Sequence, residues 1–319
     1  CVLGGFLTLN GSITVGDIQA FTQYVRQFTQ PITQIANISN VLQQTAAAAE
    51  RVFAFLAEAE EPADPPAPVS TDGVQGAVWF AHVQFGYLPD KTIIHDFSAM
   101  VKPGTKVAIV GPTGAGKTTM VKLLMRFYDV TEGAILLDGY DLRQYARNDL
   151  RDTFGMVLQD TWLYSGTIRE NIRFGRLDAT DEEVYAAAKA AQVDHFVHTL
   201  PDGYDTILNE EASNISQGQK QLLTIARTII SDPKVLILDE ATSSVDTRTE
   251  LSIQRAMDAL TAGRTSFIIA HRLSTIRNAD IILVMKDGDI VETGNHDELL
   301  AKGGFYAELY QSQFADTAG

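Results

Sequence analysis

The sequence predicts an α/β fold built on a largely parallel sheet, and three observations carry that prediction. Strand-like runs recur at Ala77–Phe85, Lys106–Val110, Gly155–Leu158, Val235–Leu238, Thr265–Ala270 and Ile281–Met285, several of them solidly aliphatic. Runs without polar alternation are how strands buried on both faces read. Helix-like stretches stand between them at Lys117–Phe127, Asp181–Gln192, Gln217–Ile230 and Arg248–Leu260. Strand and helix in alternation give parallel strands joined by crossovers. The stretch from Trp162 to Ser216 is helix-rich and lacks core strands, so it reads as a helical insertion. No internal repeat is present.

The elements follow in chain order. Cys1 to Leu9 is apolar and stops at Asn10-Gly11. It is too short to span a bilayer as a helix, which takes about 20 residues. No basic region precedes it, so it is a poor signal peptide. With no initial Met, the chain reads as beginning partway through a longer protein; a lipidated Cys1 is the alternative. Asp17 to about Leu56 reads as helix, with Ile35, Ile38, Leu42, Ala46, Ala49, Phe53 and Leu56 on one face. Pro31 is expected to interrupt or kink it. Its first half carries Gln19, Gln23, Arg26, Gln27, Gln30, Gln34 and Asn37. Lipid would reject these groups, so the helix either lines a wet cavity in a bundle or is a soluble helix seeking a partner. Residues 58–73, acidic and bearing Pro62, Pro65, Pro66 and Pro68, read as a semi-extended linker.

Composition narrows the function. Of 319 residues, 25 are Lys or Arg and 40 are Asp or Glu, a net charge of −15. That excludes nucleic-acid binding through a large basic face. Small anions remain open, because backbone N–H groups at helix starts bind phosphate without net positive charge. Cys1 is the single cysteine, so an intrachain disulfide framework and a cysteine zinc site are excluded. His82, His95, His195, His198 and His296 show no metal-ligand spacing.

The chemistry is carried by two patterns. Gly111-Pro112-Thr113-Gly114-Ala115-Gly116-Lys117-Thr118 fits G-x-x-x-x-G-K-[ST], follows the run KVAIV and opens a helix. Its glycines let backbone N–H groups wrap phosphates, Lys117 reaches the β- and γ-phosphates, and the Thr118 hydroxyl ligates Mg²⁺. The second pattern is Val235-Leu-Ile-Leu-Asp239-Glu240. It puts two carboxylates at the C-terminal end of a buried strand, where open α/β sheets bind ligands. Asp239 would hold Mg²⁺, and Glu240 would orient or deprotonate the attacking water. Together the two patterns predict a P-loop nucleotidase. Ile215-Ser216-Gln217-Gly218-Gln219 precedes a further helix and also fits a capping box.

With these motifs in place, residues 74–315 resemble the ATP-binding cassette (ABC) family. GPTGAGKTT, which runs on to Thr119, resembles its Walker A, and VLILDE its Walker B with Glu240 as catalytic glutamate. Ile215 to Gln219 resembles the signature usually written LSGGQ. Gln159 occupies the Q-loop position and is implied as a metal ligand, Asp246 lies in a D-loop-like SSVD, and His271 resembles the switch histidine. Tyr87 resembles the aromatic that stacks on adenine. Two departures stand out: Ile215 replaces Leu, and Gln217 replaces the first glycine of the signature. The implied fold is a P-loop NTPase (RecA-like) parallel-sheet core with an antiparallel β subdomain, a helical insertion at about 162–230 and a preceding long helix.

Ser165 to Gly175 (SGTIRENIRFG) resembles a segment of exporter cassettes, and residues 1–57 resemble the end of an exporter membrane domain. The resemblance therefore implies the ATPase end of an exporter half-transporter in a cell membrane, with its ATP domain on the cytoplasmic side and MgATP as ligand. It implies a second half-transporter subunit as partner, and the altered signature favours a heterodimer. A truncated ATP-binding remnant and a soluble ABC ATPase are the competing readings.

Overall fold

The computed structural model describes residues 2–158, 161–209, 212–239, 247–270 and 273–314, without the side chains of 247, 274, 313 and 314. The chain forms two compact units, divided between Ala63 and Asp64.

The first unit is helical. Helix α1 spans Val2–Leu9 and α2 spans Val15–Leu56. Thr14 starts α2 with a capping box: its hydroxyl accepts from the Asp17 N–H, and the Asp17 carboxylate accepts from the Thr14 N–H. Pro31 lies inside α2, which runs on through it for 42 residues, about 60 Å at the rise of an α-helix. Among the described residues, no helix is long and apolar enough to cross a membrane.

In the second unit the strands are β1 Val78–Phe85, β2 Ile94–Val101, β3 Lys106–Val110, β4 Glu132–Leu137, β5 Tyr140–Asp141, β6 Phe154–Val157, β7 Gly166–Thr167, β8 Ile207–Leu208, β9 Val235–Asp239, β10 Thr265–Ile269, β11 Ile281–Lys286 and β12 Asp289–Gly294. The helices are α3 Lys117–Leu124, α4 Arg147–Asp152, α5 Ile168–Arg173, α6 Asp181–Ala190, α7 Asp194–Val197, α8 Gln217–Ser231, α9 Thr247–Thr261, α10 Leu273–Arg277, α11 His296–Lys302 and α12 Phe305–Phe314.

The strands form a six-stranded sheet ordered β12-β11-β3-β10-β9-β6, parallel except for β12. A four-stranded antiparallel sheet, β2-β1-β4-β5, stands beside it. The solid aliphatic runs are explained by burial on both faces. Val235 and Ile237 join the core shared with α3 and the antiparallel sheet, while Leu236 and Leu238 join the core formed with α8 and the helical insertion. Each side chain so enclosed contributes about 1.5–3 kcal/mol. Phe80 makes edge-to-face contacts with Phe97 of its own sheet at 5.1 Å and with Phe267 of β10 at 5.9 Å between centroids, and the second contact joins the two sheets.

Helix α3 ends at Leu124, three residues before the expected Phe127. Arg126 has already turned to positive φ there, which a helix does not accommodate. Among the described residues between Trp162 and Ser216, the regular elements are helices apart from the two-residue pair β7-β8, which belongs to neither large sheet. The larger part of the expected linker, from Asp64 onward, is part of the second unit. Val69 bridges to Tyr145, and the Asp138 carboxylate accepts from the N–H groups of Gln75, Gly76 and Ala77.

Candidate functional site

The phosphate loop leaves the sheet at the end of β3, between β11 and β10. Gly111, Gly114 and Gly116 all have positive φ, at 156°, 85° and 97°. A Cβ on Gly111 would lie 2.3 Å from the Met285 carbonyl oxygen, and one on Gly116 2.7 Å from Ile94 Cδ1. Gly114 has open space around it, so its glycine is required by backbone conformation alone. Gly116 starts α3 without a side-chain cap, leaving the first N–H groups of the helix to face the loop. Thr113 and Thr118 are exposed, Pro112 is half-buried, and Ala115 and Thr119 are buried.

Lys117 folds back over the loop. Its Nζ donates to the carbonyls of Gly111 and Pro112 at 2.7 and 2.9 Å. Burial lowers its pKa, and the charge of Asp239 acts in the opposite direction. Asp239 ends β9 in register with Ile269, which is itself in register with Ile109 on β3. The acid and the loop therefore share one sheet edge, two strand spacings or about 10 Å apart. Thr118 and Asp239 supply oxygen donors only, which suits Mg²⁺, an ion that keeps water and phosphate among its ligands.

Tyr87 joins the loop from the antiparallel sheet. Its hydroxyl lies 3.4 Å from Thr119 Oγ1 and its ring packs edge-on against Tyr128 at 5.1 Å. Lys122 Nζ stands 5.4 Å from the ring centroid, and the ring is 40% exposed. Lys122, inside α3, and Tyr128, just after it, were not legible as site residues; the signal was their position on or next to the helix that the phosphate loop opens.

The signature stands elsewhere, at the start of α8. Ser216 caps that helix: its hydroxyl accepts from the Gln219 N–H at 3.3 Å, and Gln219 Oε1 accepts from the Ser216 N–H at 2.8 Å. Gly218 is buried, whereas Ser216 and Gln217 are exposed. Gln217 Nε2 lies 3.4 Å from Thr161 Oγ1. Gln159, Glu240, Asp246 and His271 lie outside the described residues. Among the described residues, no group of three His, Cys, Asp or Glu is placed to hold a metal.

Residues 94–243 match the ABC transporter family. The chain carries an ABC transporter domain. It is 57% identical over 308 residues to the fatty acid ABC transporter ATP-binding/permease protein of Mycobacterium bovis, covering 97% of this chain and 48% of that protein. It is 47% identical over 310 residues to a putative multidrug export ATP-binding/permease protein, YgaD, of Bacillus subtilis, covering 97% of this chain and 53% of that one. The solved structure of a bacterial Atm1-family ABC exporter with ATP bound matches with a TM-score of 0.77 at 42% identity. That match covers 97% of this chain and 54% of the exporter chain. The ABC chain described here thus spans about half the length of these relatives.

Proposed function

We propose that this chain is the ATP-binding and ATP-hydrolysing end of an ABC exporter half-transporter. The observation that carries the proposal is Lys117, held over the phosphate loop at 2.7 and 2.9 Å from its carbonyls on the sheet edge that also bears Asp239. Residues 111–119 bind the phosphates and Tyr87 stacks on the adenine. Thr118 and Asp239, with Gln159, would hold Mg²⁺, which would neutralise phosphate charge. Glu240 takes the proton of the attacking water, and His271 and Asp246 complete the site. Residues 1–57 are the end of the membrane domain, residues 74–315 the ATP domain on the cytoplasmic side. The substrate is of drug, lipid or peptide type; a fatty acid ABC transporter protein and a putative multidrug export protein are among the relatives.

The partner is a second half-transporter subunit in the membrane. Two cassettes facing head to tail enclose each ATP between the Walker motifs of one and Ser216 to Gln219 of the other, and closure biases the membrane domains outward. Gln217 puts a side chain where the family carries glycine, which supports two unequal sites and hence a heterodimer.

The experiment is titration of labelled ATP into the wild type and Lys117→Ala. Truncating one partner of a desolvated charge pair costs about 2–5 kcal/mol, so affinity should fall at least about thirtyfold. Equal affinities would remove the site assignment.

A further inference from the structure

The linker carries a carboxylate whose placement no part of the ATP reading uses. Helix α4 begins at Arg147, and its N-cap residue Ala146 supplies no side-chain cap. The cap comes from far away in sequence: Asp64 Oδ1 accepts from the Arg147 backbone N–H at 3.1 Å and from its guanidinium at 3.4 Å. The Arg147 side chain is 6% exposed. A buried guanidinium needs charge compensation, and here it has two carboxylates, because NH2 also donates to Asp129 Oδ2 at 3.3 Å.

Asp129 continues the chain of contacts. Its other oxygen accepts from Arg126 Nε at 3.0 Å, and Arg126 is buried just past the end of α3. Arg126 is fixed in turn by donating to the carbonyls of Leu142 and Tyr145. One turn further along α4, Arg151 donates to the carbonyls of Met125 and Arg126 at 3.4 and 3.1 Å. Carbonyls at a helix C-terminus lack intrahelical partners and carry partial negative charge, so α4 holds the rear end of α3 with a cation. The linker lies along the same segment: the Val69 N–H donates to the Gln144 carbonyl at 2.9 Å. At the other end of α3 stand Lys117 and Thr118, eight residues or about 12 Å away.

We propose that Asp64 is a positioning residue for the ATP site: through Arg147 and Asp129 it ties the linker to the C-terminal end of the phosphate-loop helix, so that linker docking and nucleotide binding strengthen one another. The ATP half of this statement rests on the proposed function. Coupling between two sites is reciprocal, so a released linker weakens ATP binding by the factor by which ATP tightens the linker.

The test uses the 319-residue chain, as wild type, Asp64→Asn and Asp64→Glu. Asparagine keeps the shape and the exposure but removes the charge that faces Arg147. MgATP affinity and amide hydrogen exchange are measured for each. The expected result for Asp64→Asn is a three- to tenfold weaker MgATP affinity, with faster exchange at residues 64–70 and also at 120–129. In the wild type, MgATP should slow exchange at residues 64–70, and Asp64→Glu should restore most of both effects. Unchanged affinity in Asp64→Asn, or faster exchange confined to residues 64–70, overturns the proposal. A wild type that does not bind MgATP refutes the ATP-site reading instead, so the two failures are distinguishable.

Discussion

The ammonium of Lys117 lies 2.7 Å from the carbonyl oxygen of Gly111, six residues earlier in the same loop. A carbonyl is a weaker partner for an ammonium than a phosphate is, because it offers a partial negative charge where the phosphate offers a full one. The side chain is thus parked where a phosphate can take it over.

The first prediction concerns that exchange of partners. Saturating MgATP at about 100 times Kd should stabilise the wild type by about 2.7 kcal/mol. Lys117→Met should melt near the wild-type temperature without nucleotide and show almost none of the nucleotide shift. Thermal melts with and without MgATP check this; an equal shift in the mutant counts against the parked-lysine geometry.

Tyr87 presents a half-open ring beside α3. Stacking of a base on an aromatic ring contributes about 1–3 kcal/mol. Tyr87→Ala should therefore weaken ATP binding about five- to a hundredfold, while Tyr87→Phe keeps the ring and gives up only the 3.4 Å approach to Thr119. Comparing ATP with inorganic triphosphate isolates the base: the alanine variant should lose affinity for ATP alone.

Gly111 and Gly114 should respond differently to alanine. At Gly111 the new methyl meets the Met285 carbonyl at 2.3 Å, whereas at Gly114 it meets nothing within 4 Å. Gly114→Ala should cost only the left-handed backbone, about 1–2 kcal/mol. Gly111→Ala must also displace a strand carbonyl and should cost more. Denaturant midpoints of the two variants decide the order.

Glu240→Gln should keep ATP affinity and nearly abolish turnover, since an amide cannot accept the proton of water. Binding and single-turnover hydrolysis, measured with the partner subunit present, check it. Full hydrolysis would assign the base to another group.

Stability should also depend on pH through His296. Burial, and then the charge of Arg277, hold its pKa below the usual 6.5, with Asp297 acting the other way. Its Nδ1 pairs with the Tyr306 hydroxyl at 2.7 Å, and burial pushes that tyrosine up to about 12. Between 6.5 and the lower folded value the unfolded chain binds more protons, so stability falls as pH drops through that window and is unaffected above it. Denaturant melts from pH 7.5 to 5.5 should show a shallower slope for His296→Gln than for the wild type. Identical slopes would assign the dependence to other groups.

Much of this was legible because the chemistry sits where local signals are strongest. The run Val235 to Leu238 has every residue enclosed, so its apolarity announces a central strand, and Asp239 at its end follows. Of the antiparallel strands, β1 was legible at Ala77–Phe85 despite its register shifts against β2, and β2 and β4 were not. In β2 the exposed His95, Asp96, Ser98 and Met100 blur the alternation, and β4 begins Glu132-Gly133 before any apolar residue. The same physics hid the role of Asp64. A carboxylate in an acidic, proline-rich stretch reads as solvated, and nothing local to it points to an uncapped helix start 83 residues away. The sequence showed that Gln217 replaces a glycine of the signature but not that its amide lies 3.4 Å from Thr161 Oγ1.

Strand β6 borders the parallel sheet and is bonded to β9 alone, through four residues from Phe154 to Val157. A strand with a ladder on one side only has half the bonds to give up when it shifts, and its neighbours on the far side offer no register to hold it. The phosphate loop grows from β3, and Asp239 ends β9; both strands are held between two neighbours. The sheet thus grips on both flanks the strands that carry the loop and this acid, and leaves β6 on its rim.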